Sequence, residues 1–201
     1  MMNRARNACL ALCLASGLSC ALQPTPAARP TRGAGDPTPP ELRAIEARLG
    51  EMQTGLNGAE LRATAQAIAE EAQQNGLDVE LILAVMRTES AFHNFARSRV
   101  GALGLMQVMP ATGEMLARRH NLAWSGPQTL FDPVANVRLG CRYLAFLRER
   151  YGRIDAALAA YNWGPGAIDR RLAAGSELPR EYPTLVLAQL EAHPPAAAAA
   201  R

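Results

Sequence analysis

The sequence predicts an all-α fold in which six to eight helices surround a cleft. Several segments repeat apolar residues at spacings of three and four, which is the period of an amphipathic helix. Residues that begin or end helices stand beside these segments. We find no alternating apolar and polar pattern typical of a half-buried strand, and no internal repeat. A chain of 201 residues with 49% hydrophobic content is sufficient for one domain with tails.

Four regions follow one another along the chain. Residues 1–21 predict a signal peptide, and residues 22–40, rich in proline, threonine, alanine and glycine, predict a disordered linker. Residues 41–192 are the predicted folded domain. Residues 193–201, which include a run of alanines, predict a disordered tail.

The N-terminus has the three parts of a secretory signal. Two arginines precede an apolar stretch, residues 8–18, which is too short to span a bilayer. Cleavage is expected after Ala21, and the protein is expected in the periplasm or otherwise outside the cytoplasm. The alternative is a lipid on Cys20, although Gly17 stands where a lipidation motif has a large aliphatic residue. We expect membrane attachment only if Cys20 is lipidated.

Local signals place the helices of the domain. The predicted helices are 41–52, 58–74, one that starts after Asp78 and carries Glu89, 110–119, one from Asp132-Pro133 to about Tyr151, 154–161, and 179–190. Gly76 is placed to end the second helix, and Asp78 is a good N-cap for the third. Asn162 and the glycine-proline-glycine run after it are expected to end the helix 154–161.

Charge and cysteine content exclude several functions. The formal net charge is +3, and removal of residues 1–21, which hold two arginines and no acidic residue, would leave +1. This balance argues against a nucleic-acid partner, which needs a basic surface. Cys141 lies on the apolar face of the long predicted helix, which favours a small core residue. The three histidines lack ligand spacing, so we predict no metal and no cofactor.

Glu89 is the strongest candidate for a catalytic residue. It shares a helical stripe with the apolar residues Ile82, Val85 and Met86. A carboxylate on such a stripe is costly unless it is paired, protonated or beside a cleft. The alternative is a glutamate at a helix end with its carboxylate in solvent.

Three segments in order carry a family resemblance. They are Glu89-Ser90, the stretch GALGLMQVMPAT at 101–112, and AYNWGPG at 160–166. Together they resemble the lytic transglycosylases of the soluble-lytic-transglycosylase type, which are lysozyme-like enzymes that cleave bacterial cell-wall glycan. The similarity extends over about residues 75–189. It implies a lysozyme-like helical domain with a substrate cleft.

The resemblance also implies a mechanism. In the family a single glutamate, matched here by Glu89, protonates the oxygen of the β-1,4 bond between N-acetylmuramic acid (MurNAc) and N-acetylglucosamine (GlcNAc). It then acts as a base on the C6 hydroxyl of MurNAc, which gives a 1,6-anhydro product without water. Apolar surroundings are expected to raise the pKa of Glu89, as a general acid at neutral pH requires.

Six further positions inherit substrate-binding roles from the resemblance: Ser98, Gln107, Met109, Tyr161, Asn162 and Tyr182. Gln107 would offer amide donors and acceptors, and the Tyr161 hydroxyl would reach toward the carboxyl or the substrate. Each has a packing alternative, such as a left-handed helix end for Asn162. Trp163 could equally stack on a sugar or fill the core.

The C-terminal part departs from the family pattern. Relatives usually carry Pro-x-x-Glu-Thr-x-x-Tyr-Val here, whereas this chain has LPREYPTLVL at 178–187. Tyr182 matches the tyrosine if the stretch is shortened, which leaves Glu181 immediately before it. A tyrosine packed in the core is the alternative for Tyr182.

The favoured function is an exported peptidoglycan lytic transglycosylase that acts on glycan strands. A hydrolytic muramidase on the same scaffold is a close alternative, because the sequence does not distinguish water from the C6 hydroxyl as acceptor. A second class is a wall-opening accessory of a secretion or conjugation assembly, which would be its protein partner. A third is an inactive glycan-binding module, which the presence of Glu89, Gln107, Tyr161 and Asn162 argues against.

Overall fold

The computed structural model describes residues 39–192, and this part of the chain is α-helical. Its elements are α1 (Pro40–Gly50), α2 (Gly58–Asn75), α3 (Val79–Ser90), α4 (Pro110–Arg119), a 3-10 segment (Pro127–Phe131), α5 (Pro133–Tyr151), α6 (Ile154–Trp163), α7 (Pro165–Ala173) and α8 (Glu181–Ala192). The only β pairing within residues 39–192 is two isolated bridges, from Leu103 to Arg97 and to Val108. The all-α prediction is confirmed.

Three predicted regions lie wholly or almost wholly outside the residues that the structure describes. The predicted signal peptide, nearly all of the predicted linker and the predicted tail lie outside residues 39–192. Among the helices of the described range, none has both the length and the apolar character required to cross a membrane.

Side chains cap the N-termini of α2, α3 and α5, and of these caps the sequence predicts Asp78. The Asn57 side chain accepts hydrogen bonds from the backbone at the start of α2, and Glu60 bonds back to the Asn57 amide, which forms a capping box. Gly76, with a φ of +59°, ends α2. Asp78 accepts a bond of 2.8 Å from the Glu80 amide at the start of α3. Asp132 does the same for α5.

Two helix boundaries differ from the prediction near the glycine-proline-glycine run. Helix α6 continues to Trp163, so Asn162 is helical and the left-handed helix end proposed for it is wrong. The break falls at Gly164, with a φ of +79°. Pro165 then begins α7, which the sequence analysis did not predict. A proline is favourable in the first turn of a helix, because its missing N–H has no partner there in any case.

Helix α5 is the centre of the packing. It contacts α2, α4, α6 and the 3-10 segment, while α3 packs against α8. Cys141 on α5 is fully buried beside Met106, so it is a core residue as predicted. Ile82, Val85 and Met86 on α3 are also fully buried.

A polar seam joins α2 to α5. The Glu71 side chain is only 1% exposed and accepts three hydrogen bonds from Arg142, the shortest at 2.8 Å. A buried carboxylate requires such a bidentate partner. One turn and a half further on, Arg148 donates to the carbonyls of Asn75 and Gly76, at 2.7 and 2.6 Å. A guanidinium there satisfies carbonyls that have no partner within the helix.

The buried side chain of Asn136 anchors the segment 101–108 to α5. Its amide donates to the carbonyls of Leu103 and Leu130, both at 2.9 Å, and its oxygen accepts from the Met106 amide at 2.8 Å. One turn later Gly140 leaves room for Met106, since a β-carbon there would lie 2.5 Å from the Met106 sulfur. The segment is therefore fixed by polar bonds and by shape.

A glycine pair tests this anchoring. A β-carbon on Gly104 would lie 2.3 Å from both Asn136 Nδ2 and the Leu130 carbonyl oxygen, whereas one on Gly101 would meet nothing within 4 Å. Both glycines have positive φ. We expect Gly101→Ala to lower the free energy of unfolding by about 1 kcal/mol through backbone strain alone. Gly104→Ala should cost about 3 kcal/mol or more, because it also breaks bonds of a buried amide.

Denaturant unfolding of the two variants beside the wild type measures both losses. Equal losses would show that the contact of Gly104 with Asn136 contributes nothing to stability.

Candidate active site

Glu89 lies in the last turn of α3 with its carboxyl partly buried. The Tyr182 hydroxyl, from the second position of α8, donates a hydrogen bond of 2.5 Å to Glu89 Oε1. Burial raises the pKa of Glu89 to about 7, and the bond from Tyr182 opposes part of that rise. A carboxyl with this pKa exchanges its proton at neutral pH, as a general acid and base must.

The backbone after Glu89 is strained. Ala91 and Phe92 both adopt left-handed conformations, with φ of 48° and 65°, although neither is glycine. The Ala91 amide donates to the Arg87 carbonyl at 2.9 Å and ends α3. Phe92 is 4% exposed and its ring lies under the Arg87 guanidinium, so packing maintains the strain. These two left-handed residues turn the chain at the end of α3, directly after Glu89 and Ser90.

Ser90 is a site residue to which the sequence analysis gave no separate role. Its hydroxyl hydrogen is shared between the carbonyls of Leu105, at 2.7 Å, and Met86, at 3.1 Å. The bond to Leu105 joins the end of α3 to the segment 101–108. The only signal in the sequence was its position next to Glu89, because a serine late in a helix usually bonds only to its own helix.

Gln107 stands in the segment 101–108 with a left-handed φ of 48°. Its side-chain amide donates to the carbonyls of Gly104 and Ala96, at 2.8 and 3.1 Å. Both amide hydrogens therefore bond to the protein's own backbone, contrary to the expectation that they serve a sugar. The side-chain carbonyl oxygen remains the group that can accept a bond from a ligand hydroxyl or amide.

Ser98 lies just before the segment 101–108, and Met109 lies just after it. The Ser98 hydroxyl accepts a bond of 2.9 Å from the Ala102 amide, and the Ser98 amide donates to the Ala102 carbonyl at 3.0 Å. Ser98 thus closes a turn, while its hydroxyl hydrogen can still be donated. Met109 is 41% exposed immediately before α4 and presents a flexible apolar surface.

The two tyrosines exchange the roles that their motifs suggest. The Tyr161 hydroxyl donates to the Met106 carbonyl at 2.8 Å and not to Glu89. Tyr182, from the stretch that departs from the family pattern, bonds to the carboxyl. Their rings are nearly parallel, with centroids 6.5 Å apart, and Tyr143 contacts Tyr161 from another side. Tyr161 therefore supports the segment 101–108, and Tyr182 contacts Glu89 directly.

Asn162 and Trp163 lie at the exposed end of α6. Trp163 is 53% exposed, which excludes the core-filling alternative. Glu181, the first residue of α8, is exposed. Within residues 39–192 no group of three or more histidine, cysteine, aspartate or glutamate side chains could hold a metal ion.

Comparisons of the sequence point to one family. The model of the transglycosylase SLT domain matches residues 66–182. The chain is 41% identical over 108 residues to the membrane-bound lytic murein transglycosylase C of Edwardsiella ictaluri (strain 93-146), and 40% identical over 108 residues to that of Sodalis glossinidius (strain morsitans). Each alignment covers 49% of this chain but only 30% of the relative, so the chain spans less than a third of either protein.

Solved structures agree with this assignment. An inactive mutant of the lytic transglycosylase Slt from Pseudomonas aeruginosa, in which a glutamate is replaced by glutamine, superposes with a TM-score of 0.56 at 30% identity. The match covers 74% of this chain and 29% of that one. The 70 kDa soluble lytic transglycosylase of Escherichia coli gives a TM-score of 0.57 at 24% identity, over 74% and 28% of the two chains, which supports the fold alone. Since the family model extends over more than half of its residues, this chain belongs to the transglycosylase SLT domain family.

Proposed function

We propose that this chain is an exported peptidoglycan lytic transglycosylase that cleaves the MurNAc–GlcNAc β-1,4 bond and leaves 1,6-anhydro-MurNAc ends. The observation that carries the proposal is the Glu89 carboxyl, which accepts a hydrogen bond from the Tyr182 hydroxyl and whose pKa burial raises to about 7. The names of the relatives, which are murein transglycosylases, support the substrate. The inactive glutamate-to-glutamine mutant of the Pseudomonas aeruginosa enzyme supports an essential glutamate.

Bond cleavage begins from the protonated carboxyl. Tyr182 bonds to Oε1 of Glu89, so Oε2 is the oxygen that can carry the acidic proton. That proton moves to the glycosidic oxygen as the bond from C1 of MurNAc to this oxygen breaks, and the bonding electron pair leaves with the oxygen. The GlcNAc unit departs as an alcohol. The acetamido oxygen of MurNAc can stabilise the positive charge that develops at C1.

The second step returns the proton to Glu89. The carboxylate, now ionised, removes the proton from the C6 hydroxyl of MurNAc while that oxygen attacks C1 and closes the anhydro ring. No water is consumed, and Glu89 ends the cycle protonated. Tyr182 stabilises the ionised form between the two steps, whereas burial favours the neutral form, so both states are accessible near pH 7.

The remaining predicted residues hold the glycan in this proposal. One side of the proposed glycan site consists of the Gln107 side-chain oxygen, the Ser98 hydroxyl and the Met109 side chain. Asn162 contributes from the end of α6. Tyr161 acts through the Met106 carbonyl as a positioning residue. Residues 41–192 form the catalytic domain, after a cleaved leader at 1–21 and a linker at 22–40, with a tail at 193–201.

Product mass tests the reaction. Digestion of purified peptidoglycan should release muropeptides with anhydro ends, each lighter by one water than the reducing product of a hydrolase. Glu89→Gln keeps the shape of the side chain but cannot deliver the proton, so it should lower the rate by at least about a thousand-fold. Mass spectrometry of the digests measures both effects. Reducing ends would establish the hydrolytic muramidase, and a Glu89→Gln variant at wild-type rate would exclude Glu89 as the acid.

The pH profile tests the role of Tyr182. Because the acid must be protonated, kcat/KM should fall as pH rises through about 7. The bond from Tyr182 lowers the pKa of Glu89, so Tyr182→Phe should move this alkaline limb upward by roughly one pH unit. Tyr161→Phe is the matched control, because its hydroxyl bonds to Met106. It should leave the limb near pH 7, and equal shifts in both variants would contradict the assignment.

Export is tested with the full-length chain. Expressed in a bacterium, it should appear outside the cytoplasm, shortened by about 20 residues as signal-peptide anatomy implies. N-terminal sequencing should begin at Leu22, whereas a blocked, lipid-modified terminus at Cys20 would indicate a lipoprotein. An uncut chain in the cytoplasm would contradict export in either form.

A further inference from the structure

The loop 94–97, which bonds to the side chain of Gln107, carries a second surface feature. The proposed reaction does not use it. Phe95 is 56% exposed, and its ring lies 5.9 Å from that of Phe131 at a tilt of 35°. The guanidinium of Arg97 lies over the other ring, 4.5 Å from the Phe131 centroid. We call Phe95, Arg97 and Phe131 the Arg97 patch. Exposed aromatic surface combined with a stacked guanidinium is typical of a ligand contact.

The Arg97 patch is rigid and connected to the site. The side-chain amide of Asn94, which is 2% exposed, donates to the Phe131 carbonyl at 2.9 Å and so fixes the backbone of Phe131. The carbonyl of Ala96, between the two patch residues of the loop, accepts the bond of 3.1 Å from the Gln107 amide. Arg97 itself forms a β-bridge with the segment 101–108. The loop therefore needs no large ordering step on binding, which reduces its entropic cost.

The chemistry of the Arg97 patch suits a carboxylate attached to an aliphatic group. Stacking on Phe131 uses the face of the guanidinium and leaves its N–H edge for hydrogen bonds. Arg97 forms no ion pair with any carboxylate of residues 39–192, although eight other arginines of this range do. The planar N–H fork matches the two oxygens of a carboxylate. Phe95 supplies adjacent apolar surface for short side chains.

Peptidoglycan presents this chemistry beside the cleaved bond. Its MurNAc units carry short peptides that end in, and branch into, free carboxylates. We propose that the Arg97 patch binds a carboxylate of this peptide stem, so that the enzyme prefers peptide-bearing strands to bare glycan. The inference rests on the proposed function, since it names the part of the same substrate that the neighbouring surface recognises.

An anionic membrane surface is the competing occupant. Arg99 and Val100, which is 77% exposed, lie on the same loop and would also face a bilayer. Attraction to lipid headgroups is not directional, so Arg97 and Arg99 would contribute to it alike. A bidentate bond to a carboxylate depends on the fork of Arg97 alone. Arg99, which has no aromatic ring beside it within residues 39–192, is therefore a matched control for Arg97, which stacks on Phe131.

The experiment compares two substrates: intact peptidoglycan, and the same glycan after an amidase has removed its peptides. Wild-type protein should show a higher kcat/KM on the peptide-bearing strands. Arg97→Gln should lower the ratio of the two kcat/KM values by roughly ten-fold, through KM and not kcat, as the loss of a charged hydrogen-bonded pair implies. Arg97→Lys keeps the charge but not the planar fork, and should lose most of the preference as well. Arg99→Gln should leave the ratio unchanged.

Other outcomes would overturn the inference. Equal losses for Arg97→Gln and Arg99→Gln, with both variants binding less to vesicles of phosphatidylethanolamine and phosphatidylglycerol, would assign the loop to a membrane surface. A wild-type enzyme that is active on both substrates without preference would exclude peptide recognition but keep the proposed function. Wild-type protein inactive on both would defeat the proposed function itself. Thermal unfolding of each variant separates a loss of fold from a loss of recognition.

Discussion

The buried side-chain amide of Asn136 is the constraint on which the site depends. It bonds to three backbone groups in regions outside the helices α1–α8, two in the segment 101–108 and one at the 3-10 segment. Polar groups buried without partners are costly, so one side chain stabilises an otherwise unfavourable loop. Two further side chains of the site bond to that loop. Ser90 bonds to Leu105, and Tyr161 bonds to Met106.

The Glu89 carboxyl combines two opposing effects. Burial disfavours its charge, and the Tyr182 hydroxyl partly restores it, which gives a pKa of about 7. This adjustment affects stability as well as chemistry. The folded-state pKa lies above the ordinary value of 4.5, so the folded state binds the proton more tightly. The resulting stabilisation is complete below about pH 4.5 and is lost as pH rises through 7. The burial that raises the pKa of Glu89 therefore makes the fold less stable on the alkaline side.

Local sequence patterns predicted the helices well, because caps and apolar periodicity act over a few residues. Asp78, Gly76 and the stripe that carries Glu89 are examples. Contacts between distant segments were beyond that reasoning. Asn136 is one polar residue in a long amphipathic helix, and its three partners lie elsewhere in the chain. The glycine-proline-glycine run is typical of a turn, and in the structure its proline begins α7, which packs against α6.

The site residues show the same division. Glu89 was identified from its own helix and its motif, but the partner of its carboxyl was not. The motif favoured Tyr161 over Tyr182, because the stretch around Tyr182 is shortened, and only the packing of α8 against α3 brings the second hydroxyl to the carboxyl. For Gln107, the residue type indicated donors and acceptors equally. The left-handed backbone, which the sequence does not reveal in a residue other than glycine, turns the amide hydrogens toward the loop.

The bond between Glu89 and Tyr182 has a consequence for how the protein is made. It joins residues that are 93 positions apart, so the carboxyl emerges from the ribosome well before its partner. Contacts of such long range form late, after the entropy of closing the intervening chain has been lost. A nascent or truncated chain that ends before α8 contains Glu89 and the motifs at 101–112 and 160–166 but lacks the hydroxyl that bonds to the carboxyl. The environment of the Glu89 carboxyl is therefore complete only when the last helix has been made and packed against α3.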